Sequence, residues 1–293
     1  MATLTRALSA DGSVMAMAID STDIAARIEA IHHTSAVMTA AAGRLATAAS
    51  MMGLLLKGEG DSLTLRLDGG GPAGTIIAVS DSSGNVKAYA QNPVVELPLN
   101  SQGKLDVAGA VGKNGYLSVI KDLGLKEPYS GQTPIVSGEI AEDVTNYYAV
   151  SEQTPTVCAL GVLVNPDLTV RAAGGFLIQL LPFAGQEAID VLERNISGIQ
   201  PVSAMIDQEM TPEEICRLVL AGLEPRITGS CTPSYRCDCS QERVERAVVS
   251  LGRDQLRQLI EEDHGTEVCC HFCGKKYRFS EEELREILQR ATH

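Results

Sequence analysis

Residues 62–90, SLTLRLDGGGPAGTIIAVSDSSGNVKAYA, decide the fold. Within them SLTLRL (62–67), GTIIAV (74–79) and NVKAYA (85–90) are strand-length runs rich in apolar and β-branched residues, separated by GGGP and DSSG. Apolar runs of that length bounded by Gly, Pro, Asn and Asp turns predict a multi-strand domain. Further out, GYLSVI (115–120), TPIVSG (133–138), NYYAVS (146–151) and GVLVNP (161–166) repeat the signal as far as Pro182. Helical periodicity appears at Thr22–Ile31 and, more strongly, at Ser35–Leu56, so the predicted class is α+β.

After GGFLIQLLP (174–182) the strand pattern stops. QEAIDVLERNI (186–196) and TPEEICRLVLAGL (211–223) read as helices with acidic faces. Thr211 is placed to cap the second, with Pro212 in the first turn and Glu214 closing a capping box. The division that follows is a β-rich domain over 1–182, a helical linker over 183–230 and a small C-terminal domain over 231–293. In the last, helices are predicted at Ser240–Leu251, at Gly252–Glu262 and from Ser280, where Ser280 and Glu283 match a second capping box.

Composition removes several function classes. A net charge of -13 repels polyphosphate and anionic lipid, so neither nucleic acid nor membrane is an expected partner. The apolar stretch Leu45–Leu56 is shorter than the roughly 20 residues needed to span a bilayer, and reads as a buried helix. MATLTRALSADGSV lacks a basic region followed by an apolar core and a small-residue cleavage site, which predicts a cytoplasmic protein. In that compartment eight cysteines are metal ligands or redox thiols rather than a disulfide framework. Six of them fall between Cys231 and Cys273, so the thiol chemistry is C-terminal.

The spacing Cys237-Asp-Cys239, thirty residues, then Cys270-His-Phe-Cys273 offers two close pairs able to converge on one tetrahedral ion, for which zinc is the natural occupant. Four protein sulfurs leave no open position for water, so such a site is structural or redox and not hydrolytic. Cys231, Cys269 and His271 compete for ligand positions, but Cys270 with Cys273 has the better two-residue spacing. GKKYRF (274–279) suits the turn of a zinc knuckle, with Lys275, Lys276 and Arg278 either offsetting thiolate charge or forming a solvated face. A segment of about sixty residues is too small to be secure without its metal. Oxidation of the thiolates would remove the ligands and so become an unfolding signal.

At these residues the chain resembles the heat shock protein 33 family of redox-regulated chaperones. LDGGGPAGTIIAVSDSSGNVKAYAQNP, GKLDVAGAVGKNGYLSVIKDLGL, SGQTPIVSGEIAEDVTNYYAVSEQTP and GVLVNPDLTVRAAGGFLIQLLP extend the resemblance across the N-terminal domain. The resemblance implies a reduced, inactive form in which Cys237, Cys239, Cys270 and Cys273 hold one Zn2+. It further implies that oxidation pairs Cys237 with Cys239 and Cys270 with Cys273, releases zinc and loosens a metastable linker. The expected partners are unfolding client proteins, with a homodimer in the oxidised state. Cys231 and Cys269 lie beyond the four-cysteine motif and leave the disulfide pairing open. The competing class is an interaction or nucleic-acid module whose zinc is only structural.

Other motifs carry less. Gly69, Gly71 and Gly74 match G-x-G-x-x-G, but Pro72 and TIIAV continue as a strand, which denies a pyrophosphate-binding turn. His32 and His33 precede Ser35 without a nucleophile elbow or acidic partner and read as cap-region residues. Cys158, in TVCALGV, reads as a small buried core residue. No enzymatic activity is expected.

Overall fold

The chain opens as a hairpin, β1 (Thr3–Leu8) and β2 (Val14–Asp20), and continues through α1 (Thr22–His32) and α2 (Ala36–Gly53). There follow β3 (Ser62–Asp68), β4 (Ile76–Asp81), β5 (Val86–Ala90), the short α3 (Val107–Val111), β6 (Tyr116–Asp122) and β7 (Tyr129–Pro134). Then come α4 (Ala141–Val150), β8 (Thr156–Val164), β9 (Val170–Leu180), α5 (Gln186–Ser197), α6 (Val202–Asp207), α7 (Pro212–Val219) and β10 (Arg226–Cys231). The last elements are α8 (Gln241–Val249), α9 (Arg253–Glu261), β11 (Gly265–Cys269), β12 (Lys276–Ser280) and α10 (Glu281–Arg290). This computed structural model describes residues 1–290 and separates into two units, Met1–Arg236 and a second beginning at Cys237. The class is α+β.

The first unit holds two antiparallel five-stranded sheets, ordered β10-β1-β2-β9-β8 and β5-β4-β3-β6-β7. Residues 62–90 form three consecutive strands of the second sheet, as their apolar runs and intervening turn residues predict. The Ala- and Met-rich α2 is buried on nearly every side and shares one core with strands of both sheets. Alternation along β2 and β9 divides the first sheet's faces: Met15, Met17, Ile19 and Leu177 enter that core, while Val14, Ala16, Ala18, Phe176 and Ile178 form a second apolar face. Residues 183–230 meet this second face, where α5, α6 and α7 bury Leu192, Val202, Met205, Ile215 and Val219 against it. Thr211 and Glu214 make the reciprocal capping box at the start of α7.

Two strand readings shift. NYYAVS lies in α4, because Val144, Tyr147 and Tyr148 recur at helical spacing and are buried together. Asp143 anchors that helix: its buried carboxylate accepts backbone N–H bonds from Val136, Ser137, Gly138 and Ile140 at 2.8–3.1 Å. TPIVSG straddles the end of β7, since Pro134 closes the strand and the next residues turn onto Asp143. The Gly69–Gly74 loop packs against the end of α3. A Cβ at Gly69 or Gly71 would fall 2.4 Å from the carbonyl oxygens of Gly112 or Ala110, so these glycines serve backbone contact. His32 ends α1 and His33 follows it in a left-handed conformation, as cap-region residues.

Candidate metal centre

The second unit is built from α8, α9, the β11–β12 hairpin and α10 around a small core of Val244, Val248, Leu256, Ile260, Tyr277, Phe279, Leu284 and Ile287. Apolar residues at helical spacing on three otherwise charged helices, and Tyr277 and Phe279 on one face of β12, supply it. Ser240 caps α8 by accepting from the Arg243 N–H, and Ser280 with Glu283 caps α10 reciprocally.

The hairpin places one thiol pair. β11 and β12 pair from Gly265↔Ser280 to Cys269↔Lys276. The chain then turns through Cys270-His-Phe-Cys273-Gly274, closed by Gly274 N–H to Cys270 O at 2.8 Å and Cys270 N–H to Lys275 O at 2.9 Å. Gly274 has φ +71, a conformation that favours glycine at this tip. The other pair, Cys237 and Cys239, lies on the segment leading into α8. Cys237 Sγ is 3.7 Å from Cys270 Sγ, and Cys239 Sγ is 3.4 Å from Cys273 Sγ. All four sulfurs lie within 4.8 Å of one another, so a single ion could be held among them.

The surroundings treat the four thiols unequally. The Tyr277 hydroxyl donates to Cys239 Sγ at 3.0 Å. Burial acts to raise the Cys239 pKa, but the hydrogen bonds from Tyr277 and the neighbouring thiols outweigh it and bring the group down to about 7. Burial pushes Cys237 up to about 12 and also raises Cys273. A bound cation would favour the thiolate at every position.

Of the other candidates, Cys269 is exposed, outside the four-sulfur cluster, with its thiol directed to the Gly274 carbonyl at 3.5 Å. Cys231 ends β10 in the first unit, and His271 is not in the cluster. Cys158 and Cys216 are core thiols pushed by burial to about 12, where they are unreactive. The basic residues after Cys273 divide. Lys276 and Arg278 pair with Glu267 across the hairpin at 2.7 and 2.9 Å, while Lys275 lies over the Tyr277 ring at 4.9 Å. Charge offset by Lys276 and Arg278 is thus directed at a carboxylate.

Sequence reasoning missed Tyr277 as a sulfur partner. It stands four residues after Cys273 in a strand whose alternation could have shown it facing inward.

The family model described as "Hsp33 protein" matches residues 2–280. The chain belongs to the Hsp33 family. Hsp33-like relatives named 33 kDa chaperonin include one from Acetivibrio thermocellus, 50% identical over 286 residues, covering 98% of this chain and 96% of its own length. Another, from Clostridioides difficile, is 51% identical over 284 residues and 97% of both chains. The crystal structure of the Hsp33 homologue from Thermotoga maritima, a 33 kDa chaperonin, is 35% identical, with a TM-score of 0.89 over 99% of this chain and 98% of that one. Among the described residues no helix is long and apolar enough to cross a membrane.

Proposed function

We propose that this Hsp33-family chain is a redox-switched chaperone of the bacterial cytoplasm, a holdase and not an enzyme, inactive when its four clustered thiols are reduced and hold zinc. The observation that carries the reading is the convergence of Cys237, Cys239, Cys270 and Cys273 inside a unit with so small a core. Zinc–sulfur bonds of about 2.3 Å in a tetrahedron require sulfurs about 3.8 Å apart. The separations of 3.4 and 3.7 Å, all within 4.8 Å, fit that donor set. Bound zinc would keep the thiols deprotonated and cross-link the segment before α8 to the hairpin tip.

An oxidant such as hydrogen peroxide takes two electrons from each pair of thiols, forming one disulfide and releasing two waters. We assign the disulfides to Cys237–Cys239 and Cys270–Cys273. All four sulfurs lie within 4.8 Å of one another, so the neighbouring pairs are within reach as well as the cross pairs at 3.4 and 3.7 Å. Closing a short loop instead of one of about thirty residues favours the neighbouring pairs by roughly 2 kcal/mol. The thiol ligands are then consumed and the unit loses its cross-link.

Loss of order there frees the linker, over 183–230, from the apolar face of the first sheet. Val14, Ala16, Phe176 and Ile178, now covered by α5, α6 and α7, become available to unfolding client proteins, and the oxidised form pairs as a homodimer. The test is to treat zinc-loaded protein with peroxide at heat-shock temperature, following metal release with a chromogenic chelator and aggregation of a heat-labile client by light scattering. Metal release with no suppression of aggregation overturns the chaperone reading. Equal suppression by reduced protein overturns the switch.

A further inference from the structure

Resting on the reading above, the place where a client backbone is held follows from what residues 226–236 do in the first unit. This strap ends at the residue before Cys237 and covers an edge of each large sheet. Its first half is β10, paired with β1 from Leu4↔Cys231 to Leu8↔Arg226, with a register shift between Arg6 and Ala7. Its second half meets β5, the edge strand of the other sheet. Val86 N–H donates to Ser234 O at 3.0 Å, Arg236 N–H donates to Val86 O at 2.9 Å, and the Tyr235 hydroxyl donates to Ala88 O at 3.0 Å. Uncovered, β1 and β5 would both present open edges, which folded proteins otherwise blunt or hide.

The β10 half is attached chiefly by main chain. Arg226, Thr228, Gly229 and Ser230 are exposed, and a Cβ at Gly229 would meet nothing within 4 Å. Only Ile227 and Cys231 pack inward. Ile227 meets the core under α5–α7, and Cys231 meets the core that contains Leu4. A ladder of main-chain bonds carries little sequence information, so the same edge accepts any extended backbone that offers apolar side chains at the Ile227 and Cys231 positions.

We propose that β1 is the strand on which a client chain is held: when the 226–236 strap is withdrawn, an extended apolar segment of unfolding polypeptide takes the place of β10 by β-addition. The strap lies between the linker helices and Cys237, the first of the four clustered thiols, so release of both its ends lets it leave. An unfolding polypeptide supplies what the edge requires, an extended backbone with unpaired N–H and C=O groups and alternating apolar side chains.

The test is hydrogen exchange read by mass spectrometry on the peptide covering β1, in the full-length protein reduced, oxidised, and oxidised with heat-unfolded citrate synthase as client. Slow exchange is expected when reduced, partial loss of protection on oxidation, and its return when the client is bound. Protection that survives oxidation overturns the proposal, and so does protection that stays lost in the client complex. Aggregation suppression in the same samples separates the two levels. Suppression with β1 unprotected removes only the proposed edge, whereas absent suppression removes the chaperone reading itself. A second arm locks the strap with Thr5→Cys and Ser230→Cys in a Cys231→Ser background, since Thr5 Oγ1 and Ser230 Oγ lie 3.3 Å apart. The locked protein is expected to release its metal on oxidation yet lose suppression, and full suppression by it overturns the proposal.

Discussion

Replacing Tyr277 with Phe should speed oxidant-driven loss of the metal by about an order of magnitude. The hydroxyl donates to Cys239 Sγ at 3.0 Å, and the ring belongs to the small core of the second unit, which Phe preserves. A hydrogen bond to a charged acceptor is worth about 1.5–3 kcal/mol. Its effect on rate follows from where the charge goes. The bond stabilises the electron-rich sulfur of the reduced state, and attack on peroxide spends that electron density, so the bond weakens on the way to the sulfenic acid. Removing it raises the starting state more than the transition state. Taking the lower end, since water can replace part of the bond, about 1.5 kcal/mol corresponds to roughly tenfold in rate. The assay is zinc release under pseudo-first-order peroxide, native protein against Y277F, with urea unfolding of the reduced zinc forms as a stability control. An unchanged or slower rate, at matched stability, would refute the argument that this bond shields Cys239.

Chelation of the metal under reducing conditions should unfold the second unit. A unit of this size has a typical stability of about 3–9 kcal/mol, below the roughly 10–16 kcal/mol a structural zinc contributes. The loss of helix should include α8, α9 and α10, and limited proteolysis should cut the freed linker and leave a resistant fragment ending near Pro182. Peptide mapping after oxidation should find Cys237–Cys239 and Cys270–Cys273; a dominant Cys237–Cys270 or Cys239–Cys273 bond would overturn that pairing. Asp143→Ala leaves four N–H groups, two of them buried, without their acceptor and should cost about 3 kcal/mol in urea unfolding of the first unit. Burial works to raise the Glu152 pKa, but hydrogen bonds from Lys121 and Tyr147 hold it below the usual carboxylate range. A depressed folded pKa gives stability that is present above the unfolded value and lost as pH falls through the folded one, so Glu152→Gln should flatten the acid limb of the first unit's stability curve.

The thiol cluster was legible from spacing because ligand chemistry is local: two close pairs, one in a hairpin turn and one ahead of a capped helix, need only converge once. The same holds for residues 62–90, whose strands pair with their immediate neighbours, and for the Thr211 and Ser280 capping boxes, which act over three residues. NYYAVS misled because β-branched and aromatic residues suit a strand in isolation, while the carboxylate of Asp143 and a three-four burial rhythm make it a helix.

What the tertiary structure alone decided depends on long separation. The strap's pairing joins Thr5 to Ser230, and RITGSC has too little apolar alternation to announce a strand. Only the sheet edge left open by β1 makes it one. Likewise nothing in QEAIDVLERNI tells which surface its apolar stripe will cover, because amphipathicity fixes a face and not a partner. Sequence therefore determined the class of chemistry at the four thiols, through spacing and ligand type. The fold decided that the chain running into the first of them closes the edges of two sheets, because edges exist only after distant strands have met.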